Sequence, residues 1–115
     1  MAIELTDPED VKLLTLARAQ RSRGRAVQGA AVRDIDGRTY SAGNIALPSL
    51  ELSALQVAVS MAVSSGVSGL EAALVVADSL GVDEPDVTVV RDFAGPGVVI
   101  YRAAPDGAVL DSVRT

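Results

Sequence analysis

Apolar residues in this chain fall into short runs of two different periods, separated by Gly, Pro and Asp, and together they predict alternating helices and strands. Thr6-Asp7-Pro8-Glu9 reads as a helix start, with Thr6 as the cap, Glu9 closing a capping box and Pro8 in the first turn. Val11, Leu14 and Ala17, with Leu13 beside them, give that helix one buried stripe. Arg18, Arg21 and Arg23 crowd its last turn, where they complement the helix dipole, and Gly24 stops it. Residues 26–34 then read as a strand, and Asp36-Gly37 is a hairpin turn into a second strand over 38–41. Gly43-Asn44 breaks that strand, and Pro48-Ser49 leads into a helix over 51–65 that Gly66 ends.

The run 72–77 is apolar without alternation, as expected of a central strand covered on both faces. Asp83-Glu84-Pro85-Asp86 resembles another helix start, with 87–93 forming about two turns. Gly95-Pro96-Gly97 precedes a strand at 98–101, and Pro105-Asp106-Gly107 turns the chain into a last strand at 109–113. The order α-β-β-α-β-α-β-β predicts one domain, a three-layer α/β/α sandwich on a mixed five-stranded sheet.

Composition narrows the chemistry. The chain has 115 residues, no histidine and no cysteine. Eighteen Ala and seventeen Val supply the core, since aromatics are only 3%. Imidazole and thiolate catalysis, Cys/His zinc sites, disulfides and iron–sulfur clusters are excluded. Carboxylate, hydroxyl, amide and backbone groups remain. A net charge of −5 argues against nucleic acid and against anionic membranes as partners. One local exception is the cluster Arg18, Arg21, Arg23 and Arg25, read either as a solvated helix end or as an anion or RNA patch, the first being favoured. The first residues lack a leader pattern and no run reaches the roughly 18 apolar residues of a membrane span, so a cytoplasmic protein is expected. Gly95-Pro96-Gly97 lacks the Lys-Ser/Thr of a phosphate-cradling loop.

Three local strings, in this element order, resemble the cytidine deaminase superfamily. Gly29-Ala30-Ala31-Val32 before Asp36-Gly37 resembles its first strand and turn. Gly43-Asn44-Ile45 resembles the segment that reaches a nucleoside ribose, and Ala62-Val63-Ser64-Ser65-Gly66 resembles the end of the helix that carries the active site. The resemblance extends to a short actinobacterial-type subgroup, with Leu52-Ser53-Ala54-Leu55-Gln56 where a catalytic motif would stand. It implies a zinc ion that activates water and a glutamate that shuttles protons. Counting back from Gly66 puts Ser53 at the position of the first zinc-binding cysteine and Leu55 at that of the glutamate. Aligning Arg91-Asp92-Phe93 with the family puts the other two cysteine positions at Asp83 and Asp86.

Ser53, Asp83 and Asp86 would then form an oxygen-rich site for a hard cation such as Mg²⁺. The favoured alternative has the two aspartates capping the third helix. Ala26 stands where the family has a base-contacting Phe, and Ala46 where it has half of the ribose-binding pair, which leaves Asn44 as the one ligand contact. Asn44 also fits a plain turn residue. The expectation is therefore a catalytically degenerate module, with no catalytic residue, metal or cofactor assigned. Its expected partners are its own copies, as homodimer or homotetramer, and a nucleoside-like ligand or a protein. The alternatives are a hydrolase with a carboxylate-held metal, and RNA or partner binding through the arginines.

Overall fold

A computed structural model describes residues 2–23 and 26–115. Helix α1 (Pro8–Arg23) is followed by strands β1 (Gly29–Asp34) and β2 (Thr39–Gly43), and then by a short hairpin of β3 (Ile45–Leu47) and β4 (Leu50–Leu52). Helix α2 (Ala54–Ser65), strand β5 (Leu70–Val76), helix α3 (Glu84–Ala94) and strands β6 (Val99–Ala103) and β7 (Val109–Arg114) complete the chain. The main sheet has five strands in the order β2-β1-β5-β6-β7. Only β5 and β6 run parallel; the other neighbours are antiparallel. As its unbroken apolar run requires, β5 sits at the centre, with its residues buried apart from Glu71.

Alternation along the strands divides the core between two faces. Ala30 and Val32 of β1 join Leu55, Val59, Val90 and Ile100 beneath α2 and α3. Ala31, Leu74 and Val76 join Leu13 and Ala17 of α1 on the opposite face. The result is the α/β/α sandwich. Small side chains set its spacing: at Gly29 an added Cβ would lie 1.9 Å from the Ala17 carbonyl oxygen, so α1 rests directly on the β1 backbone. Arg33 ties this layer together, bonding Asp10 of α1 at 3.0 Å and Glu71 of β5 at 2.8 Å.

The Asp36-Gly37 turn forms as expected, and Asp34 holds it. Its carboxylate accepts N–H bonds from Asp36 (2.8 Å) and Arg38 (3.0 Å) and a hydroxyl bond from Tyr40 (2.7 Å). Burial by itself would raise the Asp34 pKa, but the bonds from Tyr40, Arg38 and Asp36 and the Arg38 charge outweigh it and hold the carboxyl below its ordinary value.

Three local expectations are corrected. The helix expected over 51–65 begins only at Ala54, because residues 45–52 form the β3–β4 hairpin with Pro48-Ser49 at its turn. Ile45, Leu47, Leu50 and Leu52 alternate with polar or small residues about that turn, which is strand periodicity. The cap of α1 is Asp7 rather than Thr6, with the Glu9 N–H donating to Asp7 Oδ1 at 2.9 Å. Leu13 and Ala17 carry the buried stripe of α1, while Val11 is 43% exposed. Among the described residues no helix is long and apolar enough to cross a membrane.

Candidate functional site

The starts of α2 and α3 meet at one hydrogen bond. Ser53, extended in backbone, caps α2: its Oγ accepts the Gln56 N–H at 3.1 Å, and the Ser53 N–H donates to Gln56 Oε1 at 2.9 Å. This reciprocal pair is a capping box, and it explains why the helix starts where it does. The Ser53 hydroxyl proton goes elsewhere, to Asp86 Oδ1 at 2.5 Å. Ser53 thus uses its one donor across the gap between helices and one lone pair on its own helix.

Asp86 lies in the first turn of α3 and is 2% exposed. Burial raises its pKa first and the neighbouring Asp83 charge adds to this, while the Ser53 bond pulls the other way; the net direction is upward. Asp83 itself is exposed and makes no side-chain capping bond, so the two aspartates that look equivalent in sequence differ in role. Pro85 occupies the first turn, as its missing N–H allows. Among the described residues no cluster of three or more His, Cys, Asp or Glu side chains is placed to hold a metal ion.

Leu55 points into the core and has no solvent exposure. Asn44 is joined to the Ser53 end of α2 through Gln28. Asn44 Oδ1 accepts the N–H groups of Val27 (3.0 Å) and Gln28 (3.1 Å), and Gln28 Oε1 accepts the Ala54 N–H at 3.1 Å. Ala26 is half-buried beside Gly43, and Ala46 is exposed on β3. The structure therefore brings Asn44, Ser53, Leu55 and Asp86 to one region and leaves Asp83 and Ala46 at the surface. Gln28 and Gln56 hold the first turn of α2, a role that the family resemblance gives to neither. For Gln56 the available signal is the Ser53-x-x-Gln56 box.

Arg18, Arg21 and Arg23 of the arginine cluster lie on α1, across the sheet from this site. Arg21 Nε donates to the Val27 carbonyl at 3.1 Å, and the Arg18 guanidinium lies against Gly107 in the β6–β7 turn. Arg23 is exposed, and Arg25, with Gly24, lies outside the described residues.

A protein-family model described as cytidine deaminase-like matches residues 6–107, which span the helix starts and every strand up to β6. The chain belongs to the cytidine deaminase-like family. Solved cytidine deaminases share its fold. That of Burkholderia pseudomallei superposes with a TM-score of 0.74 at 21% identity, covering 91% of this chain and 90% of that one. That of Mycobacterium leprae gives 0.69 at 24% identity over 90% and 93%, and that of Mycobacterium tuberculosis 0.70 at 23% over 82% and 85%. No curated protein matches the chain by sequence. At these identities the cytidine deaminase-like likeness is one of fold, and function has to be argued from the residues at the helix starts.

Proposed function

We propose that this chain is a non-catalytic member of the cytidine deaminase-like family, a binding and assembly module that works without zinc. The observation that carries this reading is the 2.5 Å Ser53–Asp86 hydrogen bond, which occupies the junction of α2 and α3 with the protein's own groups. The residues do not fit the metal that the family implies. The chain contains no histidine and no cysteine. A serine hydroxyl keeps its proton at neutral pH, and here that proton is held by Asp86. A lone carboxylate beside it falls short of the three or four protein ligands of a zinc site. The proton-shuttling position is taken by the fully buried Leu55, which cannot carry a proton.

Self-association is part of this reading. Met61 and Val63 on α2 are 42% and 49% exposed, more apolar surface than a helix facing only its own core requires. Beside them Val59, Val63, Val89 and Phe93 line an open depression of about 380 Å³ between α2 and α3. A copy of the same chain, as dimer or tetramer, would cover this face in a cytoplasmic setting. A nucleoside-like molecule or a protein is the remaining class of ligand.

Cytidine turnover and molar mass test the proposal together. With Zn²⁺, Mg²⁺ or Mn²⁺ added, no deamination is expected, and light scattering is expected to give a multiple of 11.8 kDa. Metal-dependent turnover would overturn the non-catalytic part, and a clean monomer would overturn the assembly part.

A further inference from the structure

The starts of α2 and α3 carry opposing demands. Each helix begins with N–H groups that no earlier turn of the helix can pair and carries a partial positive charge there, and the two first turns are brought together at Ser53 and Asp86. Something must hold these like-signed ends in contact. The Asp86 carboxylate is buried between them, and among the described residues no Arg or Lys bonds to it. A buried charge without a cation needs hydrogen bonds and favourable dipoles. Asp86 has both: the Ser53 hydroxyl donates to it, and it sits in the first turn of its own helix. Ser53 is in turn fixed by Gln56, and the neighbouring Ala54 N–H by Gln28. The chain Gln28–Ala54, Gln56–Ser53 and Ser53–Asp86 therefore runs from the segment before β1 through α2 to α3.

We infer that the Ser53–Asp86 hydrogen bond replaces the family's metal as the structural tie between α2 and α3, so that the metal-free chain is already the complete folded form. This rests on the non-catalytic reading only in taking the metal to be absent. It adds a role for two residues that would otherwise be remnants of a lost site. Ser53 and Asp86 act here as positioning residues, and substitutions that keep the bond should be tolerated.

The test is a double-mutant cycle on the full chain by urea unfolding. Ser53→Gly keeps most of the capping preference at this position but removes the hydroxyl. Asp86→Ala removes the acceptor. A hydrogen bond to a charged group shifts the folding equilibrium by roughly ten- to a hundredfold, so each variant should lose stability on that scale. Because both remove the same bond, the double variant should fall short of the product of the two losses by about tenfold. Ser53→Thr, which retains the hydroxyl, should keep a midpoint near the parent's. This comparison with Ser53→Gly decides the matter should Asp86→Ala fail to fold. Midpoints should be the same in EDTA and in added Zn²⁺. Losses that simply multiply, a Ser53→Thr variant no better than Ser53→Gly, or a midpoint raised by Zn²⁺ would each overturn the inference. Cytidine turnover by the same preparation would overturn the functional reading and leave the coupling result to decide this one.

Discussion

Replacing Gly29 by alanine lowers the melting temperature by roughly 10–20 °C, the loss expected from about 3 kcal/mol in a domain of this size. The cause is the contact between α1 and β1. The added Cβ would stand 1.9 Å from the Ala17 carbonyl oxygen and 2.8 Å from the Arg21 backbone nitrogen. Both are backbone atoms inside a helix, so no side-chain rotation relieves the clash. α1 must lift from the sheet, loosening Leu13 and Ala17 from Ala31, Leu74 and Val76 along the whole face. Gly69→Ala is the control, since its Cβ would meet only the Ile35 Cγ2 at an ordinary 3.5 Å. Circular-dichroism melts decide the matter. A Gly29→Ala variant melting with the Gly69→Ala control would mean that α1 does not rest on the sheet as described.

The second large effect is expected from Leu55→Glu, which puts a carboxylate in place of a core side chain. Leu55 has no exposure and shares its core cluster with Val59, Val90 and Ile100. A carboxylate there loses its water and gains no cation in return. The buried arginine two residues along β6 from Ile100, Arg102, is already held by Asp111 at 2.6 Å and near the Ala77 carbonyl. An unpaired buried charge costs on the order of 3–5 kcal/mol, a large part of the total stability of such a domain. The variant should be mostly insoluble, or should unfold far earlier in urea than the parent. A Leu55→Glu protein that melts within a few degrees of the parent would show that solvent reaches this position.

Much of the fold can be read from local pattern because the strongest signals are local. The apolar run 72–77 fits a strand covered on both faces better than a half-exposed one, and β5 is central. Asp36-Gly37 and Asp106-Gly107 place glycines at φ of 87° and 95°, as the hairpin turns into β2 and β7 require. The hairpin β3–β4 is hidden by Pro48-Ser49, a dipeptide that serves a tight turn as readily as a helix entry. Its alternation covers only a few residues on each side. The capping box Ser53-x-x-Gln56 is the better guide to where α2 begins.

The site is less legible because it depends on distant partners. Nothing near Gln28 in sequence signals that its side chain will bond the Ala54 N–H, 26 residues away. The distinction between Asp83 and Asp86 has the same origin. Both lie at the start of α3, and only the packing of α3 against α2 turns one inward to Ser53 and leaves the other in solvent. Absent side chains are easier to read than present ones: zero histidine and zero cysteine exclude thiolate and imidazole ligands by composition alone.

On the proposed reading, the junction of α2 and α3 is completed by Ser53 and Asp86 and holds no zinc. Elemental analysis of the full chain, expressed in zinc-supplemented medium and purified without chelators, tests it most directly. Zinc far below one ion per chain is expected, unchanged in Ser53→Gly. One tightly held zinc per chain, lost on substitution of Ser53 or Asp86, would contradict it.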